Sequence, residues 1–290
     1  MAAEVARDGD CGESGAILSG GALQLDESGE ARIWACCAAS GKVVRLDADH
    51  LDARSTLALS TRGSPSGVAL EGENTIFVAD LEHGALLKAD AASGKFSPMV
   101  QDYEGERLLG PSSVAIGADR TIYFTDSGPL GESSLESPRG SVFAISRDEN
   151  GQILRPLALH CLAHPCGVCP VGNHVYVAEL LKNRILRFTK LPHGAYLCSV
   201  LHQFSGRIGP SAIASDPNDP NILYVARFDV DGASGLVSVL DTTGAEGGLV
   251  RDIDLLAAGG SAITGLLVNP EANELIVFES TAGRVLRVRM

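Results

Sequence analysis

The chain has 290 residues, 45% of them hydrophobic and only 5% aromatic, with 33 glycines and a formal net charge of −13. This composition supplies a large aliphatic core with many tight turns and gives no sign of disorder. The negative field excludes nucleic acid and anionic membrane surfaces as expected partners, since both need a basic footprint, and no stretch reaches the roughly 20 apolar residues of a bilayer-spanning helix.

In chain order, the first segment carries Glu4, Asp8, Asp10 and Glu13 without an apolar run, so it reads as neither a secretion signal nor a transit peptide and predicts a cytoplasmic protein. Seven cysteines, an odd number, read as reduced thiols in the same compartment. One phrase then recurs along the chain. Its first half appears as Gly21-Ala22-Leu23, Ser66-Gly67-Val68-Ala69, Ser112-Ser113-Val114-Ala115, Cys166-Gly167-Val168-Cys169, Ser211-Ala212-Ile213-Ala214 and Thr264-Gly265-Leu266. Its second half is an apolar strand beginning at Ile33, Ile76, Ile122, Val175, Leu223 and Leu275, and four of the copies end on Asp80, Asp126, Glu179 and Glu279. Successive copies are separated by 45, 46, 54, 45 and 53 residues, the period of propeller blades.

Period-two alternation predicts a third strand in each unit, around Val43, Leu86, Val142, Ile185, Leu236 and Val285, and a fourth strand such as Phe96 to Val100. The expected fold is therefore all-β: one domain over residues 1–290, a six-bladed β-propeller of four-stranded antiparallel blades, with inner strands starting near 21, 66, 112, 166, 211 and 264. The last unit stops at Met290 without an outermost strand, and Glu4-Val5-Ala6-Arg7 is expected to fill that place and close the ring.

The pattern Pro65-Ser66-Gly67-Val68-Ala69 with Ile76-Phe77-Val78-Ala79-Asp80 resembles an NHL repeat. Gly110-Pro111-Ser112-Ser113-Val114 followed by Ile122-Tyr123-Phe124-Thr125-Asp126 resembles the regucalcin, gluconolactonase and strictosidine-synthase-like propellers. The resemblance implies a Ca²⁺ in the central channel, held by a Glu opening the first inner strand, by Asn residues after Pro in two middle blades and by an Asp after Pro in a later one. This chain has Ser19-Gly20-Gly21, Pro111-Ser112-Ser113, Pro165-Cys166-Gly167 and Pro210-Ser211-Ala212 at those places. A neutral hydroxyl or thiol does not replace an anionic oxygen ligand for a hard cation, so the ligand set is missing and no cofactor is expected. The glutamate base implied by a strictosidine-synthase-like reading is likewise replaced, by Gly259-Gly260-Ser261.

Other constellations favour structure over chemistry. His160, Cys161, His164, Cys166 and Cys169 are potential zinc ligands, but on a regular strand Cys166 and Cys169 face opposite sides unless the chain turns at Gly167. Cys36-Cys37 reads as one packed and one surface thiol, Asp229-Val230-Asp231-Gly232 as a turn, and the terminal carboxylates of the second strands as acceptors for the turn that follows. Ser112 and Ser211 with His164 lack a nucleophile elbow.

Long loops at 127–140 and 228–235 decorate one face, and loops on a rigid scaffold are where recognition concentrates. The leading expectation is thus a non-catalytic scaffold, monomeric as an isolated domain, that binds a protein partner through Glu132, Glu136, Arg139, Asp229 and Asp231, with Arg227 on the same rim. The alternative is a metal-dependent lactonase or esterase-like hydrolase, with Ca²⁺, at a non-standard channel site. Its channel-mouth candidates are Ser112, His164, Cys166, Ser211, Asp126, Glu179, Arg227 and Glu279.

Overall fold

The computed structural model describes residues 3–6, 18–25, 30–48, 55–148, 151–207, 209–228 and 235–290. These form six four-stranded antiparallel sheets. The inner strands are Leu18–Leu25, Pro65–Glu71, Pro111–Ile116, Pro165–Val171, Gly209–Ser215 and Ile263–Asn269. Each packs against the inner strands before and after it, and the sixth packs against the first, so the sheets close into a ring. The sixth blade takes its outermost strand from the N-terminus: Ala3–Ala6 pairs antiparallel with Arg284–Arg289, placing Glu4 opposite Arg287 and Val5 opposite Leu286. This is the expected closure, with Arg7 outside the described residues.

Period-two alternation explains where the core lies. Along the second strand of the first blade, Ile33, Ala35 and Cys37 pack with Ile276 and Phe278 of the sixth blade. Trp34 and Cys36 point the other way, toward Val68, Ile76 and Val78 of the second. The core is therefore six interblade layers, and a second strand needs apolar residues on both faces. Cys36 and Cys37 are both fully buried for this reason, which corrects the expectation that one of them reaches the surface.

Glycine in the repeated phrase answers a packing requirement around the axis. A Cβ on Gly67 would lie 3.0 Å from Ser113 Cα, and one on Gly265 would lie 3.0 Å from Gly20 Cα. Neighbouring inner strands thus approach backbone to backbone. Among the described residues, apart from a short hairpin at Asp102–Tyr103 and Glu106–Arg107, the remaining regular elements are two 3₁₀ turns, Ala38–Ser40 and Leu256–Ala258. Among the described residues, no helix is long and apolar enough to cross a membrane.

Candidate functional site in the central cavity

Every inner strand carries a register irregularity near its start, at Gly20, Ser66, Ser112, Cys166, Ser211 and Thr264. A bulge inserts one extra residue and turns its side chain out of the regular pleat. At these bulges a side chain from each blade reaches the next blade's backbone. Ser19 Oγ donates to Pro65 O at 3.0 Å, Ser66 Oγ to Pro111 O at 2.9 Å and Ser112 Oγ to Cys166 O at 3.5 Å. Cys166 Sγ donates to Pro210 O at 3.2 Å, Ser211 Oγ to Ile263 O at 2.7 Å and Thr264 Oγ1 to Leu18 O at 2.7 Å. The six bonds follow one another around the axis and return to the first blade, forming a closed girdle. Three candidates, Ser112, Cys166 and Ser211, thereby have a structural use for their donors.

Inside this girdle a cavity of about 600 Å³ extends along the axis from Ser19, Ser112 and Ser211 at the start of the inner strands to Leu70, Ile116 and Val268 near their ends. No Asp, Glu, Lys or Arg lines it among the described residues. Its wall combines small and aliphatic side chains with the unpaired, axis-facing edges of six inner strands, each hydrogen-bonded only to its second strand. Strand edges offer neutral backbone donors and acceptors. At the loop-bearing end it is bordered by Leu130, His164, Leu180 and Phe228.

His164 stands apart from the other lining residues. It has a left-handed backbone (φ 59°) just ahead of the fourth inner strand, held by Leu180 N–H donating to its carbonyl at 3.1 Å. Its Nδ1 is buried with no hydrogen-bond partner. Burial pushes its pKa down to about 4, so the ring is neutral near pH 7.

The charged candidates are not at the cavity wall. Asp126, Glu179 and Glu279 end their second strands and Arg227 lies one residue before the end of its own; all four are buried at the loop-bearing face, and none lines the cavity. The carboxylates fasten the loops leading into the inner strands. Asp80 accepts from Ser64 N and His83 N, and Glu179 from Ala163 N with Lys182 and Arg184 beside it. Glu279 accepts from Ala262, Thr281 and Ala282 N–H groups and from the Ser261 hydroxyl. Asp126 differs from the sequence expectation: it holds the preceding Leu109 and Gly110 N–H groups and makes no bond to the turn after it. Burial raises its pKa, and those two N–H groups pull it back. Arg227 stacks its guanidinium 4.5 Å from the Phe204 ring and donates to Ser205 O, so at 8% exposure it belongs to the core and not to the rim.

Cys166 and Cys169 do not face opposite sides. The bulge at Cys166 shifts the register, and both thiols pack against the cluster formed with Ile213, Leu223 and Val225 of the fifth blade. Burial raises their pKa values, to about 12 and about 11. Among the described residues, no group of three His, Cys, Asp or Glu side chains could hold a metal ion. Neutral donors already committed to neighbouring carbonyls do not fit the Ca²⁺ that the family resemblance implies.

On the long loop of the third blade, Glu132 and Arg139 form an exposed ion pair at 2.6 Å around the buried Ser133, and Glu136 is exposed. Asp229 and Asp231 lie outside the described residues. Sequence reasoning missed Ser19, Ser66 and Thr264 as girdle members; a small hydroxyl at the same offset in successive repeats was the available signal for Ser66 and Thr264, whereas Ser19 stands one position earlier in its repeat. It also missed Leu180 and Phe228, which end or follow second strands and carry no polar signature.

No profile of a known protein family matches the chain, and no curated protein matches its sequence. Solved structures match over nearly the whole length. A gluconolactonase from Xanthomonas campestris shares 16% identity at a TM-score of 0.71, covering 94% of this chain and 86% of that one. A calcium-binding regucalcin from Agrobacterium tumefaciens shares 16% at 0.72, covering 95% and 90%. A luciferin-regenerating enzyme shares 14% at 0.74, covering 100% and 96%. At these identities the likeness establishes architecture: the chain is a six-bladed propeller of the gluconolactonase and regucalcin fold, with a girdle of neutral side chains and no cluster of metal ligands among its described residues.

Proposed function

We propose that the protein is a small-molecule hydrolase of the lactonase or esterase kind, working in its central cavity, in preference to a protein-interaction scaffold. One observation carries this reading: an imidazole with an unpartnered, enclosed Nδ1 borders a cavity of about 600 Å³, the size of small-molecule sites. The names of two structural neighbours, a gluconolactonase and a luciferin-regenerating enzyme, support it by describing enzymes of small molecules.

A proton on the enclosed Nδ1 would have no acceptor, so the neutral His164 ring keeps its proton on Nε2. An Nε2–H donor polarises a carbonyl oxygen, as neutral histidines do in other enzymes, while water adds to the carbonyl carbon; as the ester C–O bond breaks, one proton of that water passes to the leaving oxygen and the other is released to solvent when the new acid ionises. No step passes through a metal. The test is hydrolysis of uncharged lactones and aryl esters in EDTA by the wild type and by His164→Phe, which keeps the ring volume and removes the N–H. Loss of one such donor lowers kcat by about 10²-fold. Equal rates in the two proteins, or no turnover of any substrate in the panel, would refute the reading.

A further inference from the structure

Ring-opening changes the charge of what the cavity holds. A neutral lactone plus water gives a hydroxycarboxylate and one proton, and a neutral ester gives a carboxylate, an alcohol and one proton. The wall has no counter-ion for that carboxylate, since no Lys or Arg lines it among the described residues. Hydroxyl donors are scarce as well, because those of Ser66, Ser211 and Thr264 are directed at the carbonyls of the next blade. The buried carboxylates Asp80, Asp126, Glu179 and Glu279 encircle the same end of the ring, and the chain as a whole carries −13. An unpaired charge taken out of water into such a space is strongly disfavoured.

We propose that the cavity accepts only uncharged ligands, recognised by strand-edge N–H and C=O groups and His164, and that the carboxylate made by hydrolysis is expelled by its own charge. The expulsion rests on the hydrolase reading; the charge exclusion stands without it. Substrate and product are then discriminated by one proton's worth of charge, and turnover is free of product inhibition.

The experiment compares binding of δ-decalactone and its ring-opened hydroxydecanoate, which share a carbon skeleton, by calorimetry near neutral pH in EDTA. Where the wild type consumes the lactone, both ligands are measured in His164→Phe, so that loss of the imidazole bears on the two alike. The lactone binds about 100-fold more tightly than the carboxylate, and the carboxylate leaves wild-type turnover uninhibited at concentrations far above KM. Ser113→Lys, which places an ammonium at the wall, raises carboxylate affinity about tenfold, while Ser113→Met does not. Lactone binding without hydrolysis sinks the hydrolase and leaves charge exclusion intact. Hydrolysis with equal affinity for the carboxylate does the reverse, and binding of neither ligand overturns both.

Discussion

Replacing Thr264 by valine removes the hydroxyl that spans the seam of the ring and keeps the side-chain shape. Its bond to Leu18 O, at 2.7 Å, joins positions 246 residues apart, linking the sixth blade to the first. Leu18 is 2% exposed, so water does not readily replace the lost donor. A net hydrogen bond contributes about 1 kcal/mol, and a buried acceptor left bare costs up to about 3 kcal/mol. Thr264→Val should therefore lower stability by about 1–3 kcal/mol, or roughly 2–5 °C in Tm for a chain of 290 residues. Thr264→Ser keeps the donor and should lose less. The same logic ranks the girdle: Ser211→Ala, also at 2.7 Å, costs more than Ser112→Ala at 3.5 Å, and Cys166→Ala costs little because a thiol is a weak donor. Thermal and urea unfolding in EDTA and in Ca²⁺ measures all of these. Equal stability of Thr264→Val and Thr264→Ser, or a large Ca²⁺ stabilisation of either, would refute the girdle as the fastener of the ring.

Further outcomes follow from the same geometry. Glu71 is held below the ordinary carboxylate range chiefly by hydrogen bonds from Arg147, reinforced by Arg120. Its folded pKa is lowered, so its contribution is present above the unfolded value and lost as pH falls through the folded one. Glu71→Gln should be destabilised near neutral pH, and the gap from wild type should close in acid unfolding curves; a gap independent of pH would contradict this. Gly20→Ala should destabilise by about 1–3 kcal/mol, because its Cβ would meet Ser66 O at 2.5 Å from a backbone with φ +25°; an unchanged urea midpoint would count against it. Among the described cysteines, Cys161 and Cys198 are exposed and should label quickly with a thiol reagent, while Cys36, Cys37 and Cys169 should label only on unfolding.

The ring was legible because its signal is repeated. Six copies of an alternating strand code, each with a small residue at the equivalent place in the inner strand, leave little freedom in topology. Even the closure could be read, since the last repeat ends one strand short. The site was less legible, for two physical reasons. A bulge breaks period-two reasoning at the residues that face the axis, which is why Cys166 and Cys169 ended on one side. Charge alone also misleads in a propeller: Glu279 and Arg227 look like mouth residues in sequence, but the loops fold over them and take their polar atoms. His164 was visible as a residue, whereas its unpartnered nitrogen depends on what surrounds it and could not be read from the chain.

The most direct test is a crystal structure of the protein soaked with a non-hydrolysable neutral lactone analogue and Ca²⁺ together. The analogue is expected on the ring axis, inside the girdle and hydrogen-bonded to His164, with no calcium in the cavity. A calcium ion on the axis, or an analogue bound only on the outer surface with the cavity empty, would contradict it.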